Sequence, residues 1–558
     1  MFIMSCSRSF NSFIKLCQNT YYRLVYLLPS QKEDGMKYLI GITIILIIST
    51  ANGNALNLPA EKDIFQNSHL HSELDSLLVL QRHDSLLESF YRSNNFKLFW
   101  NSRAARQTAL NVIADASSEG LNPADYSVEA LQAFENQYDR LPAGQLDDYD
   151  IQLTHSLQKY LAHIINGKLD PNQIYDDWIL PRQEVNVNDI IIANASAPNF
   201  IDVINNLKPQ HHFYRSLKVA LQEIQKVPLN EVIDTIRITK KIILNENRDV
   251  LPLIKKRLRQ WNDLKTTDSL TTEYDLATVE AVKNFQRRHG LKQDGIIGPA
   301  TADALNISPE SRRKSIIANL ERWRWYPRDL GSHYLMVNIP AFKLAIIRDG
   351  DTVETKKVIV GTNDRRTPIL TSKFSNITLN PTWTVPPTIL REDIVPSAIK
   401  NRGYFYEKRI TIYDGNNRVI SPWQWKPDKA TSYRYVQSPG THNALGTVKF
   451  NFPNNRMVYL HDTNTRSLYS QNYRSLSSGC VRVEDPMPLA EYLLDDPNWH
   501  LAKLEEIIET RKTTTLKIKG EIRLHQFYWT AWVDNEGNLI FRHDIYNLDE
   551  DLYAKLRS

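Results

Sequence analysis

Near residue 333 the spacing of apolar residues changes, and with it the kind of structure the chain can form. Before that point the repeat is three to four residues, the period of a helix that buries one face. Leu153, Leu157, Leu161 and Ile164 share such a face, and Gly167 supplies a stop. Similar spacing recurs at 77–91 and at Leu217, Ala220, Leu221 and Ile224, and 120–126 reads as a turn between helices. From His333 onward the runs are β-rich: 333–339 and 342–347, then an Asp349-Gly350 turn into 352–360. Further strands are expected at 373–379, 446–451 and 456–460, and a hairpin at 526–533 beside an Asn535–Gly537 turn. A chain of 558 residues exceeds what one core supports. The expectation is a multidomain protein: an α-helical scaffold domain at 56–247, a small helical module at 248–310 and a mainly-β domain at 311–558.

The first 55 residues read as an upstream extension and an export signal. An apolar run at 38–51 follows Lys37, and Gly53 and Ala55 offer small residues for cleavage. The run is short for a membrane span, and an uncleaved inner-membrane anchor is the alternative. Met36 stands directly before it, so Met1 and Met36 are both candidate starts. Export would place the protein in the periplasm and leave Cys480 as its lone thiol, since Cys6 and Cys17 lie before that run. A net charge of +5 is small for this length and gives no nucleic-acid footprint. The clusters Lys255-Lys256-Arg257 and Arg312-Arg313-Lys314 read as solvated faces. His69, His71, His211 and His212 lack acidic or cysteine partners at a ligand spacing, so they read as surface histidines and no metal site is expected.

Within 248–310, residues 282–291 suggest a helix closed by Gly290, then an Asp294-Gly295 turn into a helix with Pro299 in its first turn. Phe285, Gln286, Asp294, Gly295, Gly298, Thr301, Ala304 and Leu305 stand as in a small peptidoglycan-binding module, which this stretch resembles. That resemblance implies affinity for glycan or stem peptide. Residues 395–442 are irregular and rich in Trp, Tyr and Pro, and an insertion of that size in a sheet domain reads as a lid or as domain-packing aromatics.

A strand at 456–460 would end in His461-Asp462-Thr463. A polar loop follows, then Ser477-Ser478-Gly479-Cys480-Val481-Arg482, and Asp485-Pro486 opens a helix with Asp485 as cap. A thiol attacks only as thiolate, so a nucleophilic Cys480 needs a base or an imidazolium beside it. His461 is 19 positions earlier, within reach if the loop folds back. Gly479 lets the backbone turn tightly and present N–H groups to a developing oxyanion.

These residues resemble the catalytic motif of the YkuD-type L,D-transpeptidases, and the chain looks closest to the large periplasmic members of that family. The resemblance spans roughly residues 75–545 and is most specific at 437–483. It implies Cys480 as acyl-accepting nucleophile and His461 as proton acceptor. It also implies an oxyanion and substrate site built from Tyr459, Ser478, Gly479 and Arg482. Many relatives have Gly after the catalytic His and His or Trp before Gly-Cys, where this chain has Asp462 and Ser478. The third catalytic group therefore stays open between a backbone carbonyl and the Asp462 side chain. The implied reaction is a 3→3 cross-link between peptidoglycan stem peptides with release of D-alanine, without metal or organic cofactor, and with carbapenem sensitivity. Hydrolysis or lipoprotein attachment on the same fold, and a non-catalytic wall-binding scaffold, are the rival readings.

Overall fold

The computed structural model describes residues 73–227, 234–265, 267 and 270–558. The export run at 38–51, Cys6, Cys17, His69 and His71 lie outside the described residues. Among the described residues no helix is long and apolar enough to cross a membrane.

The long helix Ala143–Asn166 buries Leu153, Leu157, Leu161 and Ile164, and Gly167 ends it. Helices between residues 76 and 207 pack around it in one core. The spacing at 77–91 yields two helices, Ser76–Leu80 and Ser85–Ser93, each capped by an aspartate, Asp75 and Asp84. The next helix does not join them. His212–Gln225 buries Leu217, Leu221 and Ile224 in the core of the β domain, together with Tyr175 and Trp178. His211 caps that helix and stacks on Trp323 at 4.8 Å, so it is half-buried rather than a surface residue.

The module at 248–305 has its own core, with Phe285 and Leu305 fully buried. Its signature residues hold the fold together. Gln286 donates to Thr301 Oγ1 (3.2 Å) and the Ile296 carbonyl (3.0 Å), and accepts from the Gly295 N–H (2.9 Å). Gly295 sits at φ +67, a conformation that costs a side chain but not glycine. Two of the basic clusters depart from the expected solvated faces. Lys255 is buried and pairs with Asp275 at 2.6 Å. Arg312 is buried with its guanidinium 4.4 Å from the Trp261 ring and 4.7 Å from Phe541. Stacking against aromatic faces lets a planar cation leave water where carboxylates are absent.

The β domain is a twelve-stranded sheet. The His333–Asn338, Lys343–Arg348 and Asp351–Gly361 strands form antiparallel neighbours, as the sequence pattern implied. Elsewhere the strands are shorter than expected. The run at 373–379 breaks at Phe374 into Ile369–Lys373 and Asn376–Leu379. The 456–460 segment is a turn and an extended arm, with a strand only at Leu460–His461. Arg523–Phe527 joins the large sheet, and the hairpin lies beyond it, Ala531–Val533 against Leu539–Phe541. The helix Pro486–Leu494 does follow Asp485, but Asp485 is left-handed (φ +46) and makes no cap hydrogen bond.

The aromatic insertion is not irregular. Residues 383–437 form a four-stranded sheet, ordered Trp383–Thr384, Arg434–Gln437, Ile410–Tyr413 and Val419–Ile420. It has its own core around Phe405, Trp425 and Tyr435. The Trp425 indole donates to the Tyr435 hydroxyl (2.7 Å), which donates to the Ala430 carbonyl (2.9 Å).

Candidate active site

Four adjacent strands carry the site: β1 (Asp351–Gly361), β2 (Val448–Asn451), β3 (Leu460–His461) and β4 (Val481–Val483). β2 runs antiparallel to β3 with Lys449 opposite His461, and β3 runs parallel to β4 with His461 opposite Arg482. β4 is antiparallel to β1, with Arg482 opposite Ile359. Side chains alternate between faces along a strand, and opposed residues share a face. One face therefore presents Val448, Phe450, Leu460, Val481 and Val483, all buried in the hydrophobic core. The other carries Lys449, His461 and Arg482. Tyr459 and Cys480 continue it one step beyond the ends of β3 and β4, where the Val481 N–H still bonds the Tyr459 carbonyl (3.3 Å). The 3.3 Å-per-residue period of a strand thus gathers residues distant in sequence onto one floor.

His461 is buried, and its ring lies edge-on to Tyr459 with centroids 5.6 Å apart. Burial, then the positive charges of Arg482 and Lys449, lower its pKa to about 3, against weaker opposition from the backbone of Asp462 and Leu445. Its Nδ1 makes no well-aligned hydrogen bond among the described residues, and the backbone of Asp462 and Leu445 lies close to the ring. The Asp462 carboxylate serves elsewhere, accepting from Thr447 N–H (2.9 Å), Thr447 Oγ1 (3.0 Å) and Arg466 (3.0 Å). All three bonds fall on Oδ2, which ties the segment before β2 to the one after β3, while Oδ1 is buried without a hydrogen bond among the described residues.

Cys480 is partly exposed. Burial of its sulfur pushes the thiol pKa up, while hydrogen bonds from Tyr459 and the charges of Lys449 and Arg482 pull the other way. Burial also raises Tyr459, whose hydroxyl interacts with the Cys480 thiol and with Trp383 of the inserted sheet. Gly479 adopts φ +108, which favours glycine, and its N–H donates to Ser477 Oγ (3.2 Å). That N–H is committed to Ser477, so Gly479 shapes the turn. Ser477 Oγ in turn donates to the Cys480 carbonyl (2.6 Å), and Thr367 Oγ1 donates to the Gly479 carbonyl (2.9 Å). Ser478 is exposed and accepts from Arg365 Nη1 (3.0 Å). The same guanidinium grips Asp393 of the insertion through two bonds of 2.6 and 2.8 Å.

Arg482 lies on the site floor with no ion pair among the described residues, and its Nε is buried without a hydrogen bond. Lys449, which the sequence did not single out, holds its ammonium 4.1 Å from the centre of the Tyr459 ring. Its only sequence signal is the alternation Val448-Lys449-Phe450-Asn451, which reads equally well as a solvent-facing side. No group of three or more His, Cys, Asp or Glu suited to a metal occurs among the described residues.

Residues 332–518 match the family described as "L,D-transpeptidase catalytic domain". The chain carries an L,D-transpeptidase catalytic domain. The transpeptidase domain is preceded by a match to "Putative peptidoglycan binding domain" at 248–305 and to "Scaffold domain" at 85–221. A Haemophilus influenzae protein named "Putative L,D-transpeptidase" is 39% identical over 221 residues, covering 39% of this chain and 45% of the relative. The match thus spans less than half the length of that relative. The L,D-transpeptidase crystal structure from Xylanimonas cellulosilytica is 14% identical, covering 52% of this chain and 100% of its own, with a TM-score of 0.18. That from Stackebrandtia nassauensis is 13% identical, covering 53% and 97%, with a TM-score of 0.21.

Proposed function

We propose that this protein is a periplasmic peptidoglycan L,D-transpeptidase that forms 3→3 cross-links through a thioester on Cys480. The observation that carries the reading is the shared floor of Tyr459, His461, Cys480 and Arg482, backed by a dry core and joined to a peptidoglycan-binding module. A neutral imidazole beside a protonated thiol is a general base. His461 takes the Cys480 proton as sulfur attacks the carbonyl of the third stem residue. The carbonyl oxygen becomes an oxyanion, met by the Cys480 N–H and the Tyr459 hydroxyl. The amide to the fourth-position D-alanine breaks, the imidazolium returns its proton to the leaving amine, and a thioester remains. An amine of a second stem peptide attacks that thioester and regenerates the thiol. Arg482, without a carboxylate of its own, is suited to a stem-peptide carboxylate. The same activated thiol would open a carbapenem ring. Purified protein mixed with disaccharide-tetrapeptide should yield a 3→3 dimer by mass spectrometry. A tripeptide alone would make the protein a carboxypeptidase, and unchanged tetrapeptide would remove the transferase reading.

A further inference from the structure

We infer that Lys449 is a positioning residue of this reaction, the fixed positive charge that holds Cys480 as a thiolate once His461 has taken its proton. The inference rests on Cys480 being the nucleophile. Lysine is an unexpected occupant of this place. β2 lies in the interior of the sheet, between β3 and the Asn376–Leu379 strand, with Lys449 paired to His461 on one side and Thr378 on the other. Val448 and Phe450 send their side chains to the core, so Lys449 is confined to the face that carries the thiol. Among the described residues it has no carboxylate partner and donates no side-chain hydrogen bond; its ammonium lies 4.1 Å from the centre of the Tyr459 ring. A half-desolvated cation with no counter-ion is costly unless a negative charge appears beside it during turnover.

The groups on the Cys480 face are Tyr459 just before β3, His461 from β3, Lys449 from β2, Arg482 from β4, and Arg365 through Ser478. His461 is neutral until it accepts the proton, so it offers no charge at the start of attack. Lys449 also disfavours the imidazolium, which keeps the base free. The charge that stabilises the thiolate thus works against the imidazolium, and the effect of Lys449 is read on the Cys480 thiol itself. No further reactant is involved, because the proton passes from Sγ to His461 and the positive charge stays on Lys449.

The test is the rate of Cys480 alkylation by iodoacetamide against pH on the full chain, for wild type, Lys449→Met and Lys449→Arg. Removing an opposite charge at this range should move the midpoint upward by about one pH unit, roughly tenfold less thiolate at a fixed pH below it. Lys449→Arg should stay near wild type, and thermal melts should show both variants folded. An unchanged midpoint in folded Lys449→Met overturns the inference. So does an unchanged midpoint with a raised KM for the tetrapeptide, which would make Lys449 a reader of substrate. Alkylation is measured on the thiol itself, so this outcome is independent of whether the protein makes cross-links.

Discussion

Burial raises the Cys480 thiol and lowers the His461 imidazole, and both directions favour the neutral groups over a thiolate–imidazolium pair. If His461 takes the thiol proton during attack, each substitution has a definite expected effect. Cys480→Ser replaces the thiol with a hydroxyl of far higher pKa, and acyl-enzyme detected by mass spectrometry should vanish while the fold survives. His461→Ala should slow acylation at pH 7 by about 10²–10⁴, the usual worth of a general base. In wild type, labelling at pH 6 should be no faster than for a free cysteine; rapid labelling there would mean a thiolate–imidazolium pair and would sink the general-base reading. Cys480 and His461 stood out in sequence as a thiol and a candidate base, and Tyr459 through the family resemblance; the structure places all three on one face of the sheet. Lys449 did not stand out, since alternation identifies the two faces of a strand without saying which non-core face is an active-site floor. The tight turn at Gly479 was expected from the sequence, but its N–H donates to Ser477 Oγ rather than standing free.

Residues 395–442 read as irregular because the strands of the 383–437 sheet are only two to four residues long and its core is aromatic rather than aliphatic. Periodicity needs more residues than that to register, so only the Trp and Tyr enrichment was visible. Its tie to the nucleophile loop was not visible at all, since Arg365, Asp393 and Ser478 come from three separated segments. That tie gives Ser478 a use: a small hydroxyl accepts from Arg365 while Arg365 grips Asp393 with both guanidinium nitrogens. If the insertion is a lid, Arg365→Ala should free it from the Gly479 turn. We expect kcat/KM for the tetrapeptide to fall about tenfold or more. The melting temperature should fall by only a few degrees, because the ion pairs of the half-buried Arg365 lie at the rim of the domain and half-exposed Asp393 and Glu392 remain solvated without it. A variant with normal kcat/KM would reduce Arg365 to a surface contact, and one that melts much earlier would make the insertion a packing element.

Histidines buried without charge couple the stability of the fold to acid. Burial, the largest cause each time, lowers His163 to about 3 and His211 and His525 to about 4, depresses His289 well below the ordinary value, and lowers His461 to about 3. These rings lie in the helical core, the module and the β domain, so the effect is spread over the chain. The sign is fixed by proton counting. Below pH about 6.5 the unfolded chain protonates these rings and the native one does not, so stability falls as the pH drops from there towards 4. Each ring contributes at most about 1.4 kcal/mol per pH unit. Asp150, raised by burial to about 6, works in the opposite direction, binding its proton in the native state first, and Asp177, Asp263 and Asp549, also raised by burial, do the same, against the five histidines. Glu119 extends the decline further. Burial pushes it up, yet Lys208 and Lys218, with hydrogen bonds from Lys218 and Tyr214, outweigh burial and hold it at about 2. Its contribution is complete above the ordinary carboxylate range and is lost as the pH falls from about 4.5 towards 2. Calorimetry at pH 7, 6 and 5 should therefore show the melting temperature falling at each step, with proton uptake on unfolding largest near pH 5. His525→Gln, which keeps a polar side chain but cannot titrate, should flatten that slope within the β domain. Melting temperatures that are level or rising from pH 7 to pH 5 would show that the native protein protonates these rings in place.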